Sequence, residues 1–155
     1  MKKFLLLTVL IAVAYPPLTT SEVISSQLDA TTPKAEKKNT ALYQRILEKN
    51  ASFSDVIHSL SIDDKQALSN NINALKRYST DMRVVGLLKD IWNGDVSGHP
   101  GLAWKSLRSP SAKVSIAFVL HDADSVNARI YMEYIKKQLQ SGDVEAESNA
   151  AMSLA

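Results

Sequence analysis

Between Val114 and Leu120 the chain presents Val114, Ile116, Ala117, Phe118, Val119 and Leu120 with almost no polar face. A segment of this kind must be covered on every side, so it limits the folds open to the whole chain. A short apolar run fits a buried strand or a buried helix, and periodicity alone does not separate them. Ser109 followed by Pro110 decides for helix. Serine caps a helix start, and proline at the first helical position lacks only a donor that would be orphaned there. Lys113 and Ser115 interrupt the run without strict alternation, and no other stretch has the β-branched alternation of a sheet partner. The expectation is a buried helix over about residues 110–121, wrapped by amphipathic helices of the same chain.

The remaining patterns supply those helices. From Thr40, Leu42, Tyr43, Ile46 and Leu47 share one face, and Asn50 ends the helix. Ser54 is expected to cap a short helix that turns Val56, Ile57 and Leu60 inward, with Phe53 as its staple. Ser61 is expected to cap a helix over about 62–78, with Leu68, Ile72, Leu75 and Tyr78 or Ser79 on one stripe. Thr80-Asp81 opens another, which Asn93-Gly94 closes. There Met82, Val85, Leu88 and Trp92 form one stripe and Val84, Leu87 and Ile91 a second, so burial is expected. Gly86, costly in a helix by about 1 kcal/mol against alanine, suggests a neighbouring backbone close by. A short helix follows over 102–107. Ser125 is expected to cap the last helix, whose buried face is Ala128, Tyr131, Met132, Ile135 and Leu139, widened by Val126, Ile130 and Tyr134. Ser141-Gly142 ends it. The fold class is therefore all-α: a compact bundle of about six helices after a signal peptide and a flexible leader.

The ends read differently. Residues 1–21 have the form of a secretory signal peptide, with Lys2 and Lys3 before the apolar run Phe4–Ala14, then Pro16-Pro17 and small residues. That run is too short to span a bilayer. Cleavage before Glu22, or after Ala14, would leave no stable membrane anchor and a periplasmic or secreted product. Residues 22–39, rich in Ser, Thr, Lys and Ala, read as a flexible leader, 40–142 as a single helical domain and 143–155 as a disordered acidic tail.

Composition narrows the chemistry. The chain has no cysteine, which excludes a disulfide framework, thiol catalysis and a thiolate metal site. The net charge of +2 is too small to argue for a nucleic-acid partner. No Ser-x-x-Lys, Gly-x-Ser-x-Gly, phosphate-loop or His-Glu-x-x-His pattern occurs. Catalytic residues, a cofactor and a metal are accordingly not assigned.

Two places remain. Residues 94–101 hold three of the chain's five glycines, with Pro100, and Trp92 and Trp104 flank them. Loops beside aromatics are common contact sites, so Trp92, Asp95, His99 and Trp104 are the candidate partner-binding residues. His121-Asp122-Ala123-Asp124 is the one local cluster of metal-type ligands. With a further ligand from His99 or Asp95 it could hold a divalent cation. The order His99, His121-Asp122, Asp124 is similar to the ligand set of the all-helical HD phosphohydrolases. That family, however, places its last aspartate far downstream rather than next to the His-Asp pair. The simpler reading makes Asp122 and Asp124 turn and capping residues and His121 a helix-end cation. The leading expectation is an exported, non-catalytic protein that binds a macromolecule, a protein rather than nucleic acid, of inhibitor, immunity or adaptor type. A metal-dependent hydrolase using the His/Asp cluster is one alternative. A small-ligand or lipid carrier, with its pocket between the two buried helices, is another.

Overall fold

The computed structural model describes residues 34–155, which form one unit. The expected signal peptide, and the leader as far as residue 33, lie outside the described residues. The fold is all-α. Among the described residues there are eight α-helices and one 3-10 segment and no strand. They are α1 (Lys34–Leu47), α2 (Phe53–Ser59), α3 (Lys65–Ala74) running into the 3-10 segment Leu75–Tyr78, α4 (Met82–Asn93), α5 (Trp104–Leu107), α6 (Pro110–Ala123), α7 (Ala128–Gln138) and α8 (Val144–Leu154).

The apolar run becomes α6, the axis of the fold. The Ser109 hydroxyl accepts from the Ala112 amide and Pro110 opens the helix. Val114, Ile116, Ala117, Val119 and Leu120 have essentially no exposed surface. They are covered because α3, α4, α5, α7 and α8 all pack against α6. A helix apolar on nearly every side is stable only in such surroundings. At its outer edge Phe118 is half-buried, and the Lys76 ammonium lies 3.8 Å from its ring centre.

The helix ends follow capping chemistry, at positions that differ in part from expectation. Asp81 caps α4, accepting from the Arg83 amide (3.0 Å), and Gly94 closes it in the left-handed conformation (φ 76°), both as expected. In α2 the cap is Ser52, not Ser54. Ser52 and Asp55 form a reciprocal capping box, and Phe53 is the first helical residue. In α3 the cap is Asp64, which accepts from the Ala67 amide (2.7 Å). Ser61 instead donates to the Ile57 carbonyl (2.9 Å), and Asp63 accepts from Ser106 of α5 (2.6 Å). At the end of α1, Lys49 occupies the left-handed region (φ 59°), a place suited to glycine. Opposite outcomes are expected at the two left-handed positions. Lys49→Gly should raise stability by about 0.5–1 kcal/mol and Gly94→Ala should lower it by about 1 kcal/mol, both read from urea midpoints.

Other expectations are corrected as well. The acidic tail is not disordered: Val144–Leu154 is helix α8, capped by Asp143, with Ala146 and Ala150 buried against the bundle and Asn149 reaching the Ser111 carbonyl (3.4 Å). Residues 34–39, expected as part of the leader, belong to helix α1, which begins at Lys34. In α7 Ser125 is not the cap. The helix starts at Ala128, and its buried residues are Tyr131, Ile135 and Gln138, while Val126, Ile130 and Leu139 are exposed. Met82, at the first position of α4, also faces solvent, and a Cβ on Gly86 would meet nothing within 4 Å, so no neighbouring backbone explains that glycine.

Candidate functional site

The loop between α4 and α5 is fastened at several points. Asp95 accepts from both the Ser97 amide (3.0 Å) and the Ser97 hydroxyl (2.7 Å), an Asx turn made by an aspartate beside a flexible glycine. Those two bonds hold the Asp95 carboxyl below the usual carboxylate range. The His99 ring lies 3.5 Å from the Asp90 carboxylate on the last turn of α4. The Trp104 indole donates to the His99 carbonyl (2.8 Å), and the Arg108 guanidinium stands 5.9 Å from the Trp104 ring centre. At the loop's exit the Ala103 amide donates to the Leu60 carbonyl (3.0 Å) at the end of α2. Between these anchors Asp95, Val96, Ser97, Gly98, Pro100 and Gly101 are exposed.

The four expected binding residues are therefore divided. Asp95, His99 and Trp104 belong to the loop. Trp92 points elsewhere: its ring stands edge-on to Tyr131 (5.2 Å) and Tyr134 (5.1 Å) of α7, with the Lys113 ammonium 5.5 Å from its centre. It fastens α4 to α7, and the destination of its ring depends on a contact between distant segments.

The acidic residues after α6 have close partners. Asp122 accepts from His121 (2.9 Å) and pairs with Lys76 (2.9 Å); Lys76 first, then His121, holds its carboxyl below the ordinary value. Asp124 is buried and accepts from Asn127 (2.8 Å), Lys89 (2.9 Å) and Tyr131 (3.0 Å). Asn127 and then Lys89 hold the Asp124 carboxyl down at about 2. Burial, reinforced by that carboxylate, pushes the Tyr131 phenol up to about 12. Among the described residues no three His, Cys, Asp or Glu side chains converge as metal ligands, so His99, His121, Asp122 and Asp124 do not form one group. This Asp124 hub was not anticipated. Its signal in the sequence is local: Asn127 lies three residues on in the same turn, and Tyr131 follows Asn127 by one turn of the helix that starts at Ala128.

Two further features stand outside the loop. A groove of about 450 Å³ is lined by Tyr43 and Leu47 of α1, Asn73 and Ala74 of α3, and Lys76 and Arg77 of the 3-10 segment. It lies away from the α4–α6 contact where a carrier pocket was expected. On α7, Ile130 and the preceding Val126 expose apolar surface. No helix among the described residues is long and apolar enough to cross a membrane. No protein-family model, curated protein or solved structure matches this chain.

Proposed function

We propose that this chain is an exported, non-catalytic helical protein that binds a macromolecular partner, a protein of the kind met by inhibitors, immunity proteins or adaptors. The observation that carries the reading is the 94–101 loop, exposed along most of its length yet tied down by Asp95–Ser97, His99–Asp90, Trp104–His99 and Ala103–Leu60. A loop already ordered in the free protein surrenders less conformational entropy on binding than a mobile one. Val96 and Pro100 present its apolar surface, and the Trp104 indole holds the His99 carbonyl between them. The internal partners of Asp122 and Asp124 favour a structural role for those carboxylates over a catalytic one. Export rests on the signal-like pattern of residues 1–21.

The test uses residues 22–155 as bait in an extract of the source cells and their medium. A single dominant partner is expected. Val96→Asp together with Pro100→Asp should weaken its capture at least tenfold while the circular dichroism spectrum stays unchanged. Equal capture by the doubly substituted bait would remove the loop from the reading. A tagged full-length chain retained inside the cell at its full mass would remove export.

A further inference from the structure

The groove beside α1 joins an apolar wall to a polar one. Tyr43 and Leu47, one turn apart on α1, are half-buried, and buried Ala74 continues their surface. Asn73, Lys76 and Arg77 supply an amide and two cations. Its volume of about 450 Å³ falls within the range of about 300–1,000 Å³ that small-ligand sites occupy, and such sites combine apolar walls with a few convergent polar groups.

The two cations differ in what they already hold. The Lys76 ammonium is engaged by the Asp122 carboxylate (2.9 Å) and lies 3.8 Å from the Phe118 ring centre. Arg77 is exposed, and its guanidinium has no ion pair, ring contact or hydrogen bond among the described residues. The other arginines are committed: Arg45 pairs with Asp55, Arg83 with Asp81 and Arg129 with Glu133, while Arg108 stands over the Trp104 ring. The side chains of Asn73 and Tyr43 likewise make no hydrogen bond among the described residues.

We infer that this groove binds a small carboxylate with a short apolar tail. The planar fork of Arg77 matches a carboxylate with two parallel hydrogen bonds, and the Asn73 amide, four residues earlier, adds a donor on the same side. The tail lies along Tyr43 and Leu47 and over Ala74. Because Asp122 already answers Lys76, the groove offers one uncompensated positive charge, which suits a singly charged head better than a dianionic phosphate. Tyr43 and Leu47 span only about 6 Å of α1, so the tail is short and the affinity modest. This groove is separate from the 94–101 loop, and the inference does not depend on that loop binding anything.

NMR of residues 22–155 during titration with sodium octanoate, up to about 10 mM, tests it. Saturable shifts with a Kd of about 0.1–1 mM are expected, largest at Tyr43, Leu47, Asn73 and Arg77. Acetate, which lacks the tail, and octylamine, which carries the opposite charge, should each bind at least tenfold more weakly. Arg77→Gln should weaken octanoate at least tenfold and Arg77→Lys about threefold, since lysine keeps the charge and loses the fork; Arg77 is exposed, so the fold is retained. Absence of saturable shifts overturns the inference. Shifts centred away from these four residues also overturn it, as does octylamine binding equal to octanoate or an Arg77→Gln variant that binds octanoate unchanged.

Discussion

Replacing Ile116 with alanine is expected to remove about 4 kcal/mol of stability, a large share of what holds a domain of this size together. Ile116 has no exposed surface and lies midway along α6, the helix against which α3, α4, α5, α7 and α8 all pack. Walls on so many sides cannot all move inward, so the lost methyl groups leave a persistent void, and void volume sets the upper end of the cost. Urea unfolding followed by circular dichroism reads the effect as a lower midpoint with an unchanged slope. Ile130→Ala on the exposed face of α7 is the matched control, expected to cost under about 1 kcal/mol. A loss below about 1.5 kcal/mol at Ile116 would mean that α6 is not enclosed as described.

The second large effect centres on Asp124. Its carboxylate gathers Asn127, Lys89 and Tyr131, linking the α6–α7 turn to α4. Asp124→Ala is expected to cost about 2–3 kcal/mol, because the buried Tyr131 hydroxyl and the Asn127 amide lose their acceptor, while half-exposed Lys89 can turn to water. The same contacts make stability depend on pH at both extremes. The folded Asp124 carboxyl titrates at about 2, below its ordinary 3.8, so its contribution is complete above about pH 4 and disappears as pH falls towards 2. The folded Tyr131 phenol titrates at about 12, above its ordinary 10.0, so the fold favours its neutral form. That contribution is complete below pH 10 and disappears as pH rises towards 12. Asp124→Asn should flatten the acid limb and Tyr131→Phe the alkaline limb, each measured as the pH dependence of the urea midpoint relative to the unsubstituted protein. Limbs that keep their slopes in both variants would show that neither group governs them.

What could be read from the sequence was whatever a short stretch encodes by itself. Helix α6 carries its own cap in Ser109-Pro110 and a run that needs covering. Helix α4 carries both ends, Asp81 and Gly94. The 94–101 loop is written in its glycines. The misplaced features depend on distant contacts or on small side chains. Helix α8 reads as a tail in the sequence because its buried residues, Ala146 and Ala150, are methyl-sized, while its larger apolar residues, Val144, Met152 and Leu154, face solvent. Its pattern of side-chain size is the reverse of the one that marks an ordinary surface helix. The face of α7 is not legible locally, because Asp124 engages Asn127 and Tyr131 at its start and is held there by Lys89 from another helix. The same holds for Trp92, which sits beside the loop in sequence while nothing near it there shows that Tyr131 and Tyr134 receive its ring.

The placement of α8 bears on when this molecule becomes itself. Part of the central helix is covered by residues 144–154, so a growing chain that has already emitted residues 34–138 still lacks part of its interior wall. Until those last turns emerge, the part of α6 beside Ser111 lacks its cover. The protein is thus held back from completing its architecture until nearly all of residues 34–155 have been made, and an early stop codon after α7 leaves a loosened intermediate, open to proteases, in place of a slightly shorter version of the same fold.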